Sequence, residues 1–346
     1  MTSKSPSVLL IYTGGTIGMM ENPETGALEN FPFGQLLNFV PELKRFNYHI
    51  STYQFDPPID SSDMKPQYWS ELVHVIEDNY RQYDGFVILH GTDTMAFTAS
   101  ALSLMLENLS KPVILTGSQL PIGTLRTDGK ENLITAVEIA AAKKEDGTAQ
   151  VPEVCIFFEN HLMRGNRTSK INADNFNAFR SYNYPPLARA GIRIKYVENL
   201  IREANPSLPL KPHYNLDPHV VVLTLFPGIQ ESLVSSVLSV EGLRAVVLKT
   251  YGSGNAPQKP WLIRELNKAR ERGIVVVNIT QCSYGLVDMG RYETSLHLLD
   301  AGVISGYDST PECAITKLMF LLGQGYTYDE ICAQMNTSLV GEITVR

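Results

Sequence analysis

The sequence predicts an α/β protein of two domains: a larger N-terminal domain around a mostly parallel, doubly wound sheet, and a smaller C-terminal domain around a parallel sheet of its own. Three observations lead there. Short runs of β-branched and aliphatic residues alternate with helical patterns. The strand runs are continuously apolar, as in parallel strands covered on both faces. A chain of 346 residues is also too long for one ordinary core.

Residues 8–12 read as the first strand. Residues 86–89 form the second, followed by an apolar-rich helix from about 95 to 109. A third strand covers 113–115, a second helix 132–142 and a fourth strand 154–158. From about 196 to 218 the pattern fails: Pro206, Pro209, Pro212 and Pro218 interrupt it, which reads as an interdomain linker. Alternation resumes with strands at 220–225, 245–248 and 274–279 and helices at 232–238 and 261–270. Helical stretches near 311–322 and 328–335 close the chain. The domains are therefore placed at 1–195 and 220–346, with 196–219 between them, the second being Rossmann-like. No internal repeat or low-complexity tract is visible.

Composition narrows the function. Hydrophobic residues at 44% and charged residues at 19% belong to a packed globular protein. A net charge of −7 argues against a nucleic-acid partner, which needs a basic surface to displace counterions. No apolar run approaches the roughly 20 residues that span a bilayer. The run at 8–11 is too short for a secretory signal, so a cytoplasmic protein away from membranes is expected. Cys155, Cys282, Cys313 and Cys332 make neither a Cys-x-x-Cys pair nor a zinc spacing, which suits a reducing compartment. With no metal-ligand cluster in view, neither metal nor cofactor is expected.

Open α/β sheets bind ligands at the carboxyl ends of their strands. After the first strand comes Thr13-Gly14-Gly15-Thr16-Ile17-Gly18, a glycine-lined turn carrying a hydroxyl. It is neither a Walker loop nor a dinucleotide fingerprint. Its plain alternative is a structural turn whose threonine bonds to backbone. After the second strand comes His90-Gly91-Thr92-Asp93-Thr94, either an N-cap or a nucleophile and anion site at a helix start. His90, at the end of a buried strand, reads as a satisfied core histidine. Thr116-Gly117-Ser118-Gln119 follows the third strand, and Asp60-Ser61-Ser62-Asp63-Met64 precedes the second. The latter could hold the charged ends of a small ligand or be a solvated loop. Arg164-Gly165-Asn166-Arg167-Thr168-Ser169-Lys170 is a cationic stretch that is either solvated or brings one lysine to a site. No Ser-His-Asp arrangement and no Gly-x-Ser-x-Gly elbow occurs. Threonine, aspartate and lysine on strand-end loops point weakly to acyl-group hydrolysis.

Taken together these motifs resemble the bacterial-type L-asparaginase family. The order is Thr-Gly-Gly-Thr-Ile-Gly, Asp-Ser-Ser-Asp-Met, His-Gly-Thr-Asp-Thr, and Lys170 after Gly-Asn-Arg-Thr. Tyr251-Gly252-Ser253-Gly254-Asn255-Ala256-Pro257 and Asn278-Ile279-Thr280-Gln281-Cys282 are similar to its cytoplasmic, type I branch. The resemblance implies hydrolysis of L-asparagine to L-aspartate and ammonia. Thr16 matches the nucleophile that forms a β-aspartyl ester, and Thr92, Asp93 and Lys170 match a second triad. Ser61 and Ser62 match the positions that hold the substrate's α-carboxylate, and Asp93 the partner of its α-ammonium. The backbone around Thr92 and Ser118 matches the amide-binding and oxyanion region, and Gly15 and Gly91 count among the implied substrate-binding positions. Asn255 matches a residue contributed by a neighbouring chain, which implies a homodimer or a dimer of dimers.

The chain also departs from that pattern. Many relatives carry an activating tyrosine on the loop after the first threonine; residues 19–28 have none, with Ala27 near its expected place and Tyr12 before the loop. The type I branch can carry a regulatory asparagine site, where Cys282 matches, Ser169 replaces a threonine and Lys249 an arginine. Lysine does not reproduce arginine's bidentate grip, so weak or absent allosteric activation is expected. Three other functions compete. An amide-hydrolysing subunit of a tRNA-dependent amidotransferase would need sequence before the first threonine loop, where only a few residues precede Val8. A self-cleaving N-terminal-threonine hydrolase would require scission, for instance before Thr92. A non-catalytic amino-acid-binding protein would not need Thr16, Thr92, Asp93 and Lys170 together.

Overall fold

A computed structural model describes residues 5–21, 25–26, 28–30, 36–205, 207–290 and 293–345. The chain divides into two units, Met1–Tyr214 and Asn215–Arg346.

In the first unit Ser7–Tyr12 lies between His49–Gln54 and Gly85–Leu89, parallel to both. Val113–Thr116 and Val154–Phe158 continue the parallel run. Counted along the chain, these strands stand in the order 2-1-3-4-5. His161–Arg164, Ala188–Arg189 and Lys195–Tyr196 extend the sheet antiparallel. The four strands read from sequence are buried along their whole length. On one face, Leu133, Ala136, Val137 and Ala140 of helix Gly129–Ala141 share a core with Val8, Leu10, Val87, Leu89 and Ile114. Burying such a side chain contributes roughly 1.5–3 kcal/mol, which fixes the helix on the sheet. Helix Met95–Met105 is buried on nearly every side, as an all-round apolar helix must be.

That helix ends at Met105 rather than near 109. Leu106–Glu107 pairs instead with Lys211–Pro212, and Asn108 turns the chain at φ 62, a conformation asparagine tolerates. The stretch 196–219, read as a linker, thus contributes Tyr196 and Lys211–Pro212 to pairings within the first unit, which runs to Tyr214. Helix Pro66–Asn79 and the edge strand His49–Gln54 also lie outside the sequence reading. The strand is mostly exposed and mixed in polarity, so it carries no apolar run.

In the second unit, Val220–Thr224, Ala245–Thr250, Val275–Thr280 and Ile304–Ser305 form a parallel sheet in chain order. Helices Glu231–Leu238 and Pro260–Glu271 bury Val234, Leu238, Leu262 and Leu266 with Leu223, Val246, Leu248 and Val276. Pro260 and Pro311 open their helices, where a missing N–H costs nothing. Helix Pro311–Gly323 is capped by the Thr310 hydroxyl, and Tyr328–Met335 by a reciprocal Thr327–Glu330 box. The tail is pinned by a buried ion pair: Lys317 Nζ donates to Glu342 Oε1 at 2.6 Å and to the Thr337 carbonyl. Among the described residues no helix is long and apolar enough to cross a membrane.

Candidate active site

The strand order fixes where to look. His49–Gln54 and Gly85–Leu89 flank Ser7–Tyr12 on opposite sides. The chain therefore leaves Ser7–Tyr12 toward one edge of the sheet and Gly85–Leu89 toward the other, and the loops after these two strands diverge at a topological switch point. Ligand crevices of open α/β sheets form there. The loops carrying Thr16 and Thr92 are those two.

They meet through glycine. Gly15 has φ 95, and a Cβ on it would stand 2.5 Å from the Gly91 backbone. Only a residue without a side chain permits that approach. A Cβ on Gly91 would in turn strike the Ser61 side chain, so a third segment lies against the same point. Thr94 Oγ1 donates to the Ser61 carbonyl at 2.6 Å, tying the Ser61–Asp63 turn to the loop of Thr92. Thr94 occupies the N-cap of helix Met95–Met105 but makes no capping bond, because its hydroxyl is spent on Ser61.

Thr16 is half-buried in a short 3-10 turn, and its hydroxyl meets no protein partner among the described residues. Beneath it lies Tyr12, fully buried, whose hydroxyl donates to the Gly15 carbonyl and fills the space beside Gly18. Burial pushes the Tyr12 phenol well above its ordinary range, so it keeps its proton and is no base for Thr16. Ala27, the position of the expected loop tyrosine, lies outside the described residues.

Lys170 reaches the same place from the pairing of Ser169–Lys170 with Phe179–Arg180. Its Nζ donates to Thr92 Oγ1 at 2.9 Å and to Asp93 Oδ1 at 2.7 Å. Thr92 Oγ1 then donates to Gln119 Oε1 at 3.3 Å. The lysine is largely covered while Asp93 is mostly exposed, leaving the carboxylate room for another cation. Gln119 was not singled out from sequence, although it adjoins Ser118. Its backbone N–H and that of Leu120 donate to Asp128, which fixes the third loop. Burial raises the Asp128 carboxyl above its ordinary value against those bonds. Asp128 carries no sequence signal, being one of many acids at a helix start. Ser118 is buried and donates to the Leu120 carbonyl.

Ser61 and Ser62 differ. Ser61 is buried against Gly91. Ser62 is exposed, and both its N–H and hydroxyl donate to Asp60, holding that carboxyl below its usual range. Thr16, Thr92, Asp93, Gly15, Gly91, Ser61 and Ser118 thus stand on loops at the carboxyl ends of parallel strands of one sheet, and Lys170 reaches Thr92 and Asp93 from a separate two-stranded pairing. Asn255, Lys249 and Cys282 belong to the second unit. Asn255 closes a turn with Tyr251, while Lys249 and Cys282 sit at the ends of neighbouring strands. Ser169 is half-buried beside Lys170.

Two family models match the chain. One described as Asparaginase, N-terminal, matches residues 7–202, and one described as Glutaminase/Asparaginase C-terminal domain matches residues 219–335. The chain belongs to the asparaginase family. It is 44% identical to L-asparaginase 1 of Escherichia coli strain K12, over 98% of each chain. The crystal structure of L-asparaginase I from Vibrio cholerae O1 biovar eltor superposes with a TM-score of 0.90 at 45% identity, covering 99% of this chain and 100% of that one. A 60 kDa lysophospholipase of Mus musculus is 41% identical over 98% of this chain and 62% of its own length. Asparaginases are amidohydrolases, and so is this member of the family.

Proposed function

We propose that this chain is an L-asparaginase that hydrolyses the side-chain amide of L-asparagine through an ester on Thr16. The observation that carries the proposal is the Gly15–Gly91 approach, which holds the two threonine loops together at the switch point. In this scheme the Thr16 oxygen attacks the amide carbon. The oxyanion is met by backbone N–H groups near Thr92 and Ser118, each such donor contributing about 3–4 kcal/mol in other enzymes. The C–N bond breaks, the Thr16 proton leaves with ammonia, and a β-aspartyl ester remains. Water then cleaves that ester, restoring the Thr16 hydroxyl and releasing aspartate.

Thr92, held by Lys170 and Gln119, faces the water or the amide in this scheme. Because Lys170 arrives as a donor to Thr92, its role is to orient that hydroxyl and to balance Asp93. Asp93 takes the substrate ammonium and Ser61 the α-carboxylate. Ser62 joins them only by releasing Asp60. Glutamine, one methylene longer, carries its amide out of register, and a misplacement of about an ångström can cost 10²-fold. The assembly in this proposal is at least a homodimer, with Asn255 of one chain completing the site of another. Its four cysteines are free, as a reducing cytoplasm keeps them. The substitutions at Ser169 and Lys249 go with a hyperbolic response to asparagine.

The test is ammonia release from asparagine, glutamine and buffer alone. The parent is expected to release ammonia from asparagine. Thr16→Ala and Thr92→Val should each lose at least about 10²-fold in kcat, as enzymes do on losing a nucleophile or its activator. A silent parent ends the enzyme reading, and a Thr16→Ala variant near the parental rate ends the assignment of the nucleophile.

A further inference from the structure

We infer that His90 is a positioning residue for the amide-binding backbone, acting through the peptide that joins Gly91 to Thr92. Its ring is buried, with 1% exposure, and both nitrogens are engaged. Nδ1 lies 2.7 Å from the Gly91 carbonyl, and Nε2 lies 2.8 Å from Thr98 Oγ1. Trp69, on helix Pro66–Asn79, donates its indole N–H to the same Thr98 oxygen at 2.9 Å.

The proton positions follow from chemistry. A carbonyl only accepts, so Nδ1 carries the hydrogen. Burial lowers the His90 pKa to about 4, so the ring is neutral near pH 7 and Nε2 is an acceptor. Thr98 accepts from Trp69 and gives its own proton to Nε2. The string runs in one direction, from Trp69 through Thr98 and His90 to the Gly91 carbonyl, with every member satisfied.

In a trans peptide the carbonyl and the following N–H point in opposite directions. Holding the Gly91 carbonyl on the buried ring therefore aims the Thr92 N–H away from it. That N–H has no protein acceptor among the described residues. Such a free, rigidly aimed donor is what a developing oxyanion requires. The inference rests on the reading of Thr92 as part of the amide-hydrolysing site.

Two isosteres separate the ring nitrogens. In asparagine the amide nitrogen is as many bonds from Cα as Nδ1, whereas in glutamine it matches Nε2. A residue that merely filled space or held Thr98 would be replaced better by glutamine. With parental ammonia release established first, His90→Asn should keep kcat within about threefold of the parent. His90→Gln should lose at least about tenfold in kcat, with KM within about threefold for both, because misaimed donors cost rate more than binding. Equal kcat values in the two variants, or glutamine surpassing asparagine, would overturn the inference. Nitrogen-15 spectra of the parent test it without any substitution or turnover. A neutral ring protonated on Nδ1 at pH 7 is the expected state, and a proton on Nε2 refutes the string. A parent that releases no ammonia while His90 shows the expected tautomer would sink the enzyme reading and leave the string itself standing.

Discussion

At the scale of single residues, chemistry here is decided by what a hydroxyl or ring is bonded to. Of the two threonines of His-Gly-Thr-Asp-Thr, Thr92 is held by Lys170 and Gln119 while Thr94 is spent on the Ser61 carbonyl. The sequence reading of His90 as a satisfied core histidine agrees with its buried bonds. That burial has a measurable consequence. The ordinary histidine pKa of 6.5 falls to about 4 in the fold, so between those values the unfolded chain binds a proton that the native one refuses. Its contribution is fully present above pH 6.5 and is lost as pH falls toward 4, by an amount on the order of 3 kcal/mol. Urea unfolding of the parent at pH 7 and near pH 4.5 should show that loss, and His90→Asn should show less of it. Identical pH dependence in both would contradict a neutral buried ring. The two neighbouring serines make a second residue-scale prediction. Ser61→Ala should raise KM for asparagine roughly 10-fold or more, the cost of one hydrogen bond to a charged group, and Ser62→Ala less than about threefold. Steady-state kinetics check it, and the reverse order would move the carboxylate clamp to Ser62.

At the scale of elements, apolar runs announced the central strands, since both faces of those strands are covered. Helices Tyr328–Met335 and Pro260–Glu271 were legible as helical stretches at 328–335 and 261–270, within one residue of their ends. The edge strand His49–Gln54 and the two-residue piece Lys211–Pro212 were not, because each takes its shape from a partner distant in sequence. The same holds for Glu342, near the end of the chain and buried on Lys317. Burial alone would push its carboxyl up. The lysine and the Leu339 and Val340 N–H groups more than offset that and hold it below its ordinary value. Lys317→Met strands this charge, and the second unit should lose about 3–5 kcal/mol. Adding Glu342→Leu should restore most of that, since an apolar pair of similar volume often replaces a buried ion pair without loss. Urea midpoints of the single and double variants measure it. A single variant as stable as the parent would show that the pair is solvated.

At the scale of the whole molecule, the candidate site is a product of strand order. Thr16 and Thr92 are 76 positions apart, and the motif strings alone could not say that they meet. The order 2-1-3-4-5 places their loops side by side, and Gly15 and Gly91 let the backbones touch. Gln119 and Asp128 stayed hidden in the sequence because their roles exist only once the third loop is folded beside Thr92. The central claim is that this junction performs covalent catalysis through Thr16. Rapid acid quench after mixing with asparagine, followed by peptide mass spectrometry, addresses it directly. An aspartyl group on the peptide carrying Thr16, absent from Thr16→Ala, is the expected result; the same group on the peptide carrying Thr92 would contradict the account.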